Sequence, residues 1–209
     1  IKIENKKFSN VVSGAVAKNK IRTLFYALNT ANSFHIRPKT IPKYHVSEVA
    51  VIGSGLMGSG IAYRAALAGI NVNLMDVSEK ITNKAIENIS KIAYKAVDRK
   101  LITKDQADKL MGHITPATKY KNIRNSDLVI EAVSENIKLK QKVFSKVLES
   151  VPSSVPIASN TSTISIDKIS KKLENPKNII GLHFFAPVER MKLVEVVKGN
   201  KTSDVTLAK

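Results

Sequence analysis

Ser162, His183 and Glu195 are residue types that together can move a proton: a hydroxyl, an imidazole and a carboxylate. His183 lies in GLHFFAP, where an apolar run meets a turn, whereas His35, His45 and His113 sit in linker or loop contexts that point to no chemistry. A lone histidine beside phenylalanines is commonly a satisfied structural residue, so its partners decide its meaning. Glu195 is embedded in the apolar run LVEVV and is expected to be buried or half-buried, a setting that demands a partner. Twelve residues and one turn around Pro187 separate it from His183, so adjacent antiparallel strands could bring the two together. A carboxylate behind an imidazole fixes its tautomer and raises its basicity. Ser162 belongs to the polar cluster Asn160-Thr161-Ser162-Thr163, which follows a short strand, Ile157 to Ser159. The three read as a base, its orienter and a substrate-binding hydroxyl at one sheet edge.

The stretch Glu48 to Asp76, EVAVIGSGLMGSGIAYRAALAGINVNLMD, supplies a place for them to act. Val49 to Ile52 is an unbroken apolar run, as expected of a strand covered on both faces of a parallel sheet. Gly53, Gly55 and Gly58 have the GxGxxG spacing: the first permits a tight turn, the second lets backbone approach a pyrophosphate, and the third lets the next helix pack close. Leu56 and Met57 open that helix, which runs to Ala68, and its first amides favour negative charge. A second strand, Asn71 to Leu74, leads to Asp76, 18 residues after Gly58. A carboxylate there accepts hydrogen bonds from ribose hydroxyls and repels a 2′-phosphate, which favours NAD over NADP. A glycine loop alone is weak evidence; strand, helix and acid around it are what make the dinucleotide reading.

The remaining elements follow from periodicity. Ile21, Leu24, Phe25 and Leu28 mark one face of a helix over 18–32 that should dock on something, and Arg37-Pro38 and Ile41-Pro42 read as a linker. A long helix from Ser78 to about Arg99 has Ser78 as cap and Ile81, Ala85, Ile89, Ile92 and Ala96 as its buried face. Lys80, Lys84, Lys91, Lys95 and Arg99 form a basic stripe away from that face, either a solvated surface or a platform for phosphates. Thr103 and Gln106 make a capping box opening a second helix, to Met111. Asp127 to Val133 is a strand, Leu139 to Ser150 a helix, and Ser165-Ile166-Asp167 opens another that Asn175-Pro176 ends. Strands at Ile179 to Leu182 and Met191 to Val197 carry His183 and Glu195. The pattern predicts an α/β fold of the Rossmann type: a doubly wound, mostly parallel sheet with an inserted helical hairpin and an N-terminal linker helix.

Composition narrows the classes. With no cysteine, neither a disulfide nor a thiolate metal site is possible, and no metal site is expected. No apolar run of ~20 residues exists and the N-terminus lacks a signal-peptide core, so the expectation is a soluble intracellular protein of unspecified compartment, without a transmembrane segment. The charge of +17 is mostly lysine, 28 of the 34 basic residues, and is dispersed. Such dispersion reads as solvated surface or as a match to a phosphate-rich ligand, and together with 5% aromatic residues it argues against nucleic acid.

VIGSGLMGSGIA, DLVIEAVSENIKLK, IASNTSTISI and GLHFFAPVERMKLVEVV resemble, in order, the signature segments of the NAD-binding domain of L-3-hydroxyacyl-CoA dehydrogenase. The resemblance covers residues 46–209. Residues 1–45 more loosely resemble the linker helix between the enoyl-CoA hydratase and dehydrogenase parts of the multifunctional β-oxidation α-subunit. The resemblance implies a linker and connector at 1–45, an NAD-binding domain at 46–199, and at 200–209 the start of a connection to a helical domain. It also implies His183 as general base, Glu195 as its orienting acid and Ser162 as a hydrogen-bonding partner of the reacting oxygen. NAD would be held by Gly53, Gly55, Leu56, Met57, Gly58, Asp76, Glu135, Lys140 and Ser162, and Arg99 would help hold the CoA of a (3S)-3-hydroxyacyl-CoA.

Two features depart from that family. Ala186 stands where Asn or Ser usually contacts the cofactor. The helical domain that closes the cleft and supports dimerisation would lie beyond Lys209, so the segment is expected to bind NAD but turn over poorly alone. Comparable turnover with and without that domain would contradict this. The alternative is a noncatalytic module retaining only NAD affinity, against which the presence of all three chemical residues argues.

Overall fold

The computed structural model describes residues 2–33 and 37–209, in two compact units, residues 1–41 and 42–209. His35 lies outside the described residues. The first unit contains α1 (Lys2–Ser13), α2 (Ala15–Lys20), a π-helical stretch (Ile21–Ala27) and α3 (Leu28–Asn32). Ile21, Leu24, Phe25 and Leu28 are exposed, not buried as one face, and the π turns change the side-chain spacing along this stretch.

The second unit is built on β1 (Glu48–Ile52), β2 (Asn71–Met75), β3 (Ile114–Ala117), β4 (Leu128–Glu131), β5 (Ile157–Ser159), β6 (Ile179–Phe184) and β7 (Val194–Val197). These form one sheet in the order β3-β2-β1-β4-β5-β6-β7. Only the β6–β7 pairing is antiparallel. Its helices are α4 (Leu56–Leu67), α5 (Glu79–Asp98), α6 (Lys104–Gly112), α7 (Ile137–Leu148), α8 (Ile166–Ser170) and α9 (Asp204–Ala208).

Side chains alternate along β1. Val49 and Val51 join Ile61 of α4, Ile89 of α5 and Leu110 of α6 on one face, while Ala50 and Ile52 join Phe144 of α7 and Ile169 of α8 on the other. Because both faces are covered, the strand tolerates no polar position, and each large apolar side chain so buried contributes about 1.5–3 kcal/mol. From β1 the chain winds outward through β2 and β3, then crosses back to place β4 on β1's other side. The order therefore reverses between β1 and β4, and a crevice opens at their carboxyl ends.

Several local expectations are corrected. Strand β3, ITPA, gave no sequence signal because it is four residues long and contains Pro116, which is tolerated at a sheet edge. Ile81 is 43% exposed, and Thr82 takes its place in register with Ala85, Ile89, Ala93 and Ala96. Ser78 stands at the N-cap of α5 without a side-chain bond, whereas both bonds of the Thr103–Gln106 capping box are made. Helix α8 stops at Ser170, before Asn175, and Pro176 instead opens a 3-10 turn. Near the end of the described chain, Thr202 Oγ1 donates to Ile179 O at 2.6 Å and Thr206 Oγ1 to Lys177 O at 2.9 Å. Among the described residues, no helix is long and apolar enough to cross a membrane.

Candidate active site

The glycine turn sits at the switch point. Gly53 has φ +96° and its amide donates to Met75 O at 2.8 Å, tying the end of β1 to the end of β2. Gly55 is the N-cap of α4, and the first carbonyl it supplies goes to Ser59 N. The amides of Leu56, Met57 and Gly58 thus have no intrahelical acceptor and point out of the helix end. Leu56 is exposed and Met57 half-buried. A Cβ at Gly55 would meet nothing within 4 Å, so the turn leaves open space where a pyrophosphate would approach. Asp76 Oδ2 accepts from Ser54 N at 2.7 Å and Ser54 Oγ at 2.8 Å, and Oδ1 accepts from Val77 N at 2.7 Å. A carboxylate has about four acceptor positions, so about one remains on Oδ1 for a ligand hydroxyl. Ser54, which aims that carboxylate, was not singled out from the sequence.

His183 and Glu195 are direct register partners across β6 and β7, which puts both side chains on one face. His183 Nδ1 lies 2.9 Å from Glu195 Oε2, and His183 Nε2 lies 3.2 Å from Ser162 Oγ. A carboxylate only accepts, so Nδ1 carries the donated hydrogen and a neutral ring turns its Nε2 lone pair toward Ser162. The three line a cavity of about 260 Å³ with Thr161, Thr163 and Val197. Glu195 is not buried as expected: its side chain is 53% exposed against 19% for His183. β7 is the sheet's edge, and all four of its residues are exposed. Its apolar residues therefore did not signify a covered strand.

Glu135 organises the loop that bears Ser162. Its Oε1 accepts from Thr161 Oγ1 at 2.6 Å, Ser162 N at 3.1 Å, Thr163 N at 2.9 Å and Thr163 Oγ1 at 3.0 Å. Burial, the largest single influence, pushes the carboxyl up, but the Thr161 and Thr163 bonds with the Lys140 charge together bring it down to about 2. Since the folded group titrates below its ordinary 4.5, its contribution to stability is present above that pH and is lost as pH falls toward 2. Glu135→Gln is expected to flatten the acid limb of the stability curve. The difference should stay under about 1 kcal/mol because the side chain is over a third exposed, and denaturant midpoints at neutral pH and at about pH 3 would measure it.

Lys140 does not present its charge to the crevice: it is 1% exposed, with Nζ 2.8 Å from Glu131 Oε1 and 3.3 Å from Glu135 Oε2. Glu131, wholly buried at the end of β4, and Asn160, whose Oδ1 accepts from Phe184 N at 2.8 Å beside His183, are further residues that sequence reasoning left without a role. Arg99 stands apart. It caps the far end of α5, a helix about 30 Å long that starts beside Asp76, and is exposed there. A larger groove of about 450 Å³, between Glu79, Asn83 and Lys119, contains none of the expected site residues.

A doubly wound sheet with a glycine turn at its switch point defines a dinucleotide-binding domain, here with an imidazole at the same sheet edge. Residues 48–209 match the family described as 3-hydroxyacyl-CoA dehydrogenase, NAD binding domain. The fatty acid oxidation complex subunit alpha of Psychrobacter sp. strain PRwf-1 is 41% identical over 165 residues, 79% of this chain and 23% of that protein. The crystal structure of 3-hydroxybutyryl-CoA dehydrogenase from Escherichia coli K12 superposes with a TM-score of 0.76 at 39% identity, covering 78% of this chain and 35% of that one. The (S)-3-hydroxybutyryl-CoA dehydrogenase PaaH1 from Ralstonia eutropha does so with 0.76 at 35% identity, covering 78% and 57%. This chain belongs to the 3-hydroxyacyl-CoA dehydrogenase NAD-binding-domain family.

Proposed function

We propose that this chain is the NAD-binding part of a dehydrogenase that oxidises a (3S)-3-hydroxyacyl-CoA to the 3-ketoacyl-CoA in fatty-acid oxidation. The observation that carries the reading is the Glu195–His183–Ser162 chain of contacts at the sheet edge that also bears the glycine turn. The open space at Gly55, the unpaired α4 amides and the remaining acceptor on Asp76 fit a dinucleotide without a 2′-phosphate. NAD, when bound, supplies the acceptor for hydride leaving substrate C3.

His183 Nε2 takes the proton of the 3-hydroxyl as hydride departs, and Glu195 stabilises the imidazolium so formed. Ser162 Oγ hydrogen-bonds the reacting oxygen, and Glu135 holds Ser162 in place. Lys80, Lys84, Lys91, Lys95 and Arg99, all exposed along α5, supply positive charge for the phosphates of CoA. Because the alpha-subunit relative is matched over only 23% of its length, the dehydrogenase is proposed to lie within a longer protein, with a hydratase part upstream and a helical part downstream.

The test is twofold. NADH should bind the isolated chain, seen as a change in its fluorescence, with NADPH at least about tenfold weaker because Asp76 repels the extra phosphate. NADH should then be consumed on adding a 3-ketoacyl-CoA. Binding without any consumption, even with a helical domain appended, would favour a noncatalytic NAD module instead; no NADH binding at all would sink both.

A further inference from the structure

Behind the Ser162 loop runs a chain of charged side chains sealed from water. Glu131 and Lys140 are 0% and 1% exposed. Glu131 Oε1 accepts from Lys140 Nζ at 2.8 Å and Val133 N at 2.7 Å, and Oε2 accepts from Ser159 Oγ at 2.6 Å. Lys140 Nζ also donates to Val133 O at 3.2 Å and lies 3.3 Å from Glu135 Oε2. The other oxygen of Glu135 is the one that grips Thr161, Ser162 and Thr163.

Stability alone gives little reason for such a pair. Desolvating two charges is costly, and apolar residues of similar volume are often as stable or more so. What the pair adds is direction. Glu135 is 38% exposed; the Thr161–Thr163 bonds hold only its Oε1, and a fixed cation on Oε2 sets the orientation of the carboxylate as a whole. Lys140 is that cation, and it is fixed because Glu131 and Val133 O hold it. The inner end of the network reaches the glycine turn as well: Val133 N lies 2.9 Å from where a Cβ on Gly53 would stand.

We propose that Glu131 is a positioning residue. It touches neither substrate nor cofactor, but through Lys140 it sets the Glu135 carboxylate and so keeps Ser162 Oγ within reach of His183 Nε2. The proposal rests on the reading of Ser162 and His183 as the reacting groups, and its test separates the two.

Two variants are compared with the parent chain, Glu131→Gln and the double substitution Glu131→Leu with Lys140→Met. The double variant leaves no buried charge unpaired and keeps the question answerable if the single one does not fold. Amide hydrogen exchange at Ser162 and Thr163 is expected to quicken by about tenfold or more, while Val129, bonded to Pro156 O inside the sheet, stays within about twofold. In the same variants the kcat for 3-ketoacyl-CoA reduction, read at saturating NADH, should fall about tenfold. Unchanged exchange at Ser162 and Thr163 in a folded variant overturns the proposal. So does equal quickening at Val129, which marks a merely structural role. A parent chain that binds NADH but never reacts, even with a helical domain appended, sinks the functional reading, and the exchange result still decides what the network does.

Discussion

Substituting His183 with glutamine is expected to slow hydride transfer by about 10²–10⁴-fold while NADH affinity stays within about threefold. Glutamine keeps polar atoms near Ser162 and Glu195 but has no lone pair basic enough to accept the hydroxyl proton at neutral pH. The imidazole has that capacity because Nδ1, 2.9 Å from Glu195 Oε2, is held as the donor and Nε2 is left as the base. Glu195→Gln retains a bond to the ring but removes the charge that stabilises the imidazolium, so a smaller loss, about tenfold to a hundredfold, is expected there. The decisive measurement is the rate of NADH oxidation by a 3-ketoacyl-CoA at saturating cofactor. A His183→Gln variant with undiminished rate would remove the assigned base, and with it the mechanism.

The second large effect lies in the glycine turn, where two glycines separate fold from ligand. A Cβ on Gly58 would stand 1.7 Å from Gly53 O, a backbone atom that cannot swing aside, so α4 would have to move off β1. Gly58→Ala should therefore cost about 4 kcal/mol or more, a large part of the roughly 5–15 kcal/mol that a domain possesses. Chemical denaturation would show it directly. A Cβ on Gly55 meets nothing within 4 Å, and Gly55→Ala should leave the unfolding midpoint nearly unchanged while weakening NADH by about tenfold or more. If Gly55→Ala binds NADH as well as the parent does, the open space at the helix end is not where the pyrophosphate lies.

How far the site was legible in the chain depended on whether the informative residues were local. VAVIG and the three glycines announced a covered strand and a phosphate turn because strand period, turn geometry and helix entry are all settled within about ten residues. The Thr103–Gln106 box was readable for the same reason, since its two bonds span three residues. The His183–Glu195 pairing was reachable because a single turn connects two neighbouring strands. Strand β3 was hidden by Pro116, and Ile81 was misplaced because one polar residue, Thr82, fills the position facing the sheet.

The order of residue types along this chain by itself determined the doubly wound architecture, the position of the glycine turn and the choice of His183, Ser162 and Glu195 as the proposed base with its hydroxyl and acid. Those depend on backbone propensities and side-chain periods that act over short separations. Only the tertiary structure decided that Glu195 stands on an open sheet edge, that Ser54 aims Asp76, and that Lys140 is spent on Glu131 and Glu135 instead of facing the crevice. Exposure is a property of what neighbours a strand, and an ion pair forms only where sheet order brings charges within a few ångströms; neither is written in any one segment.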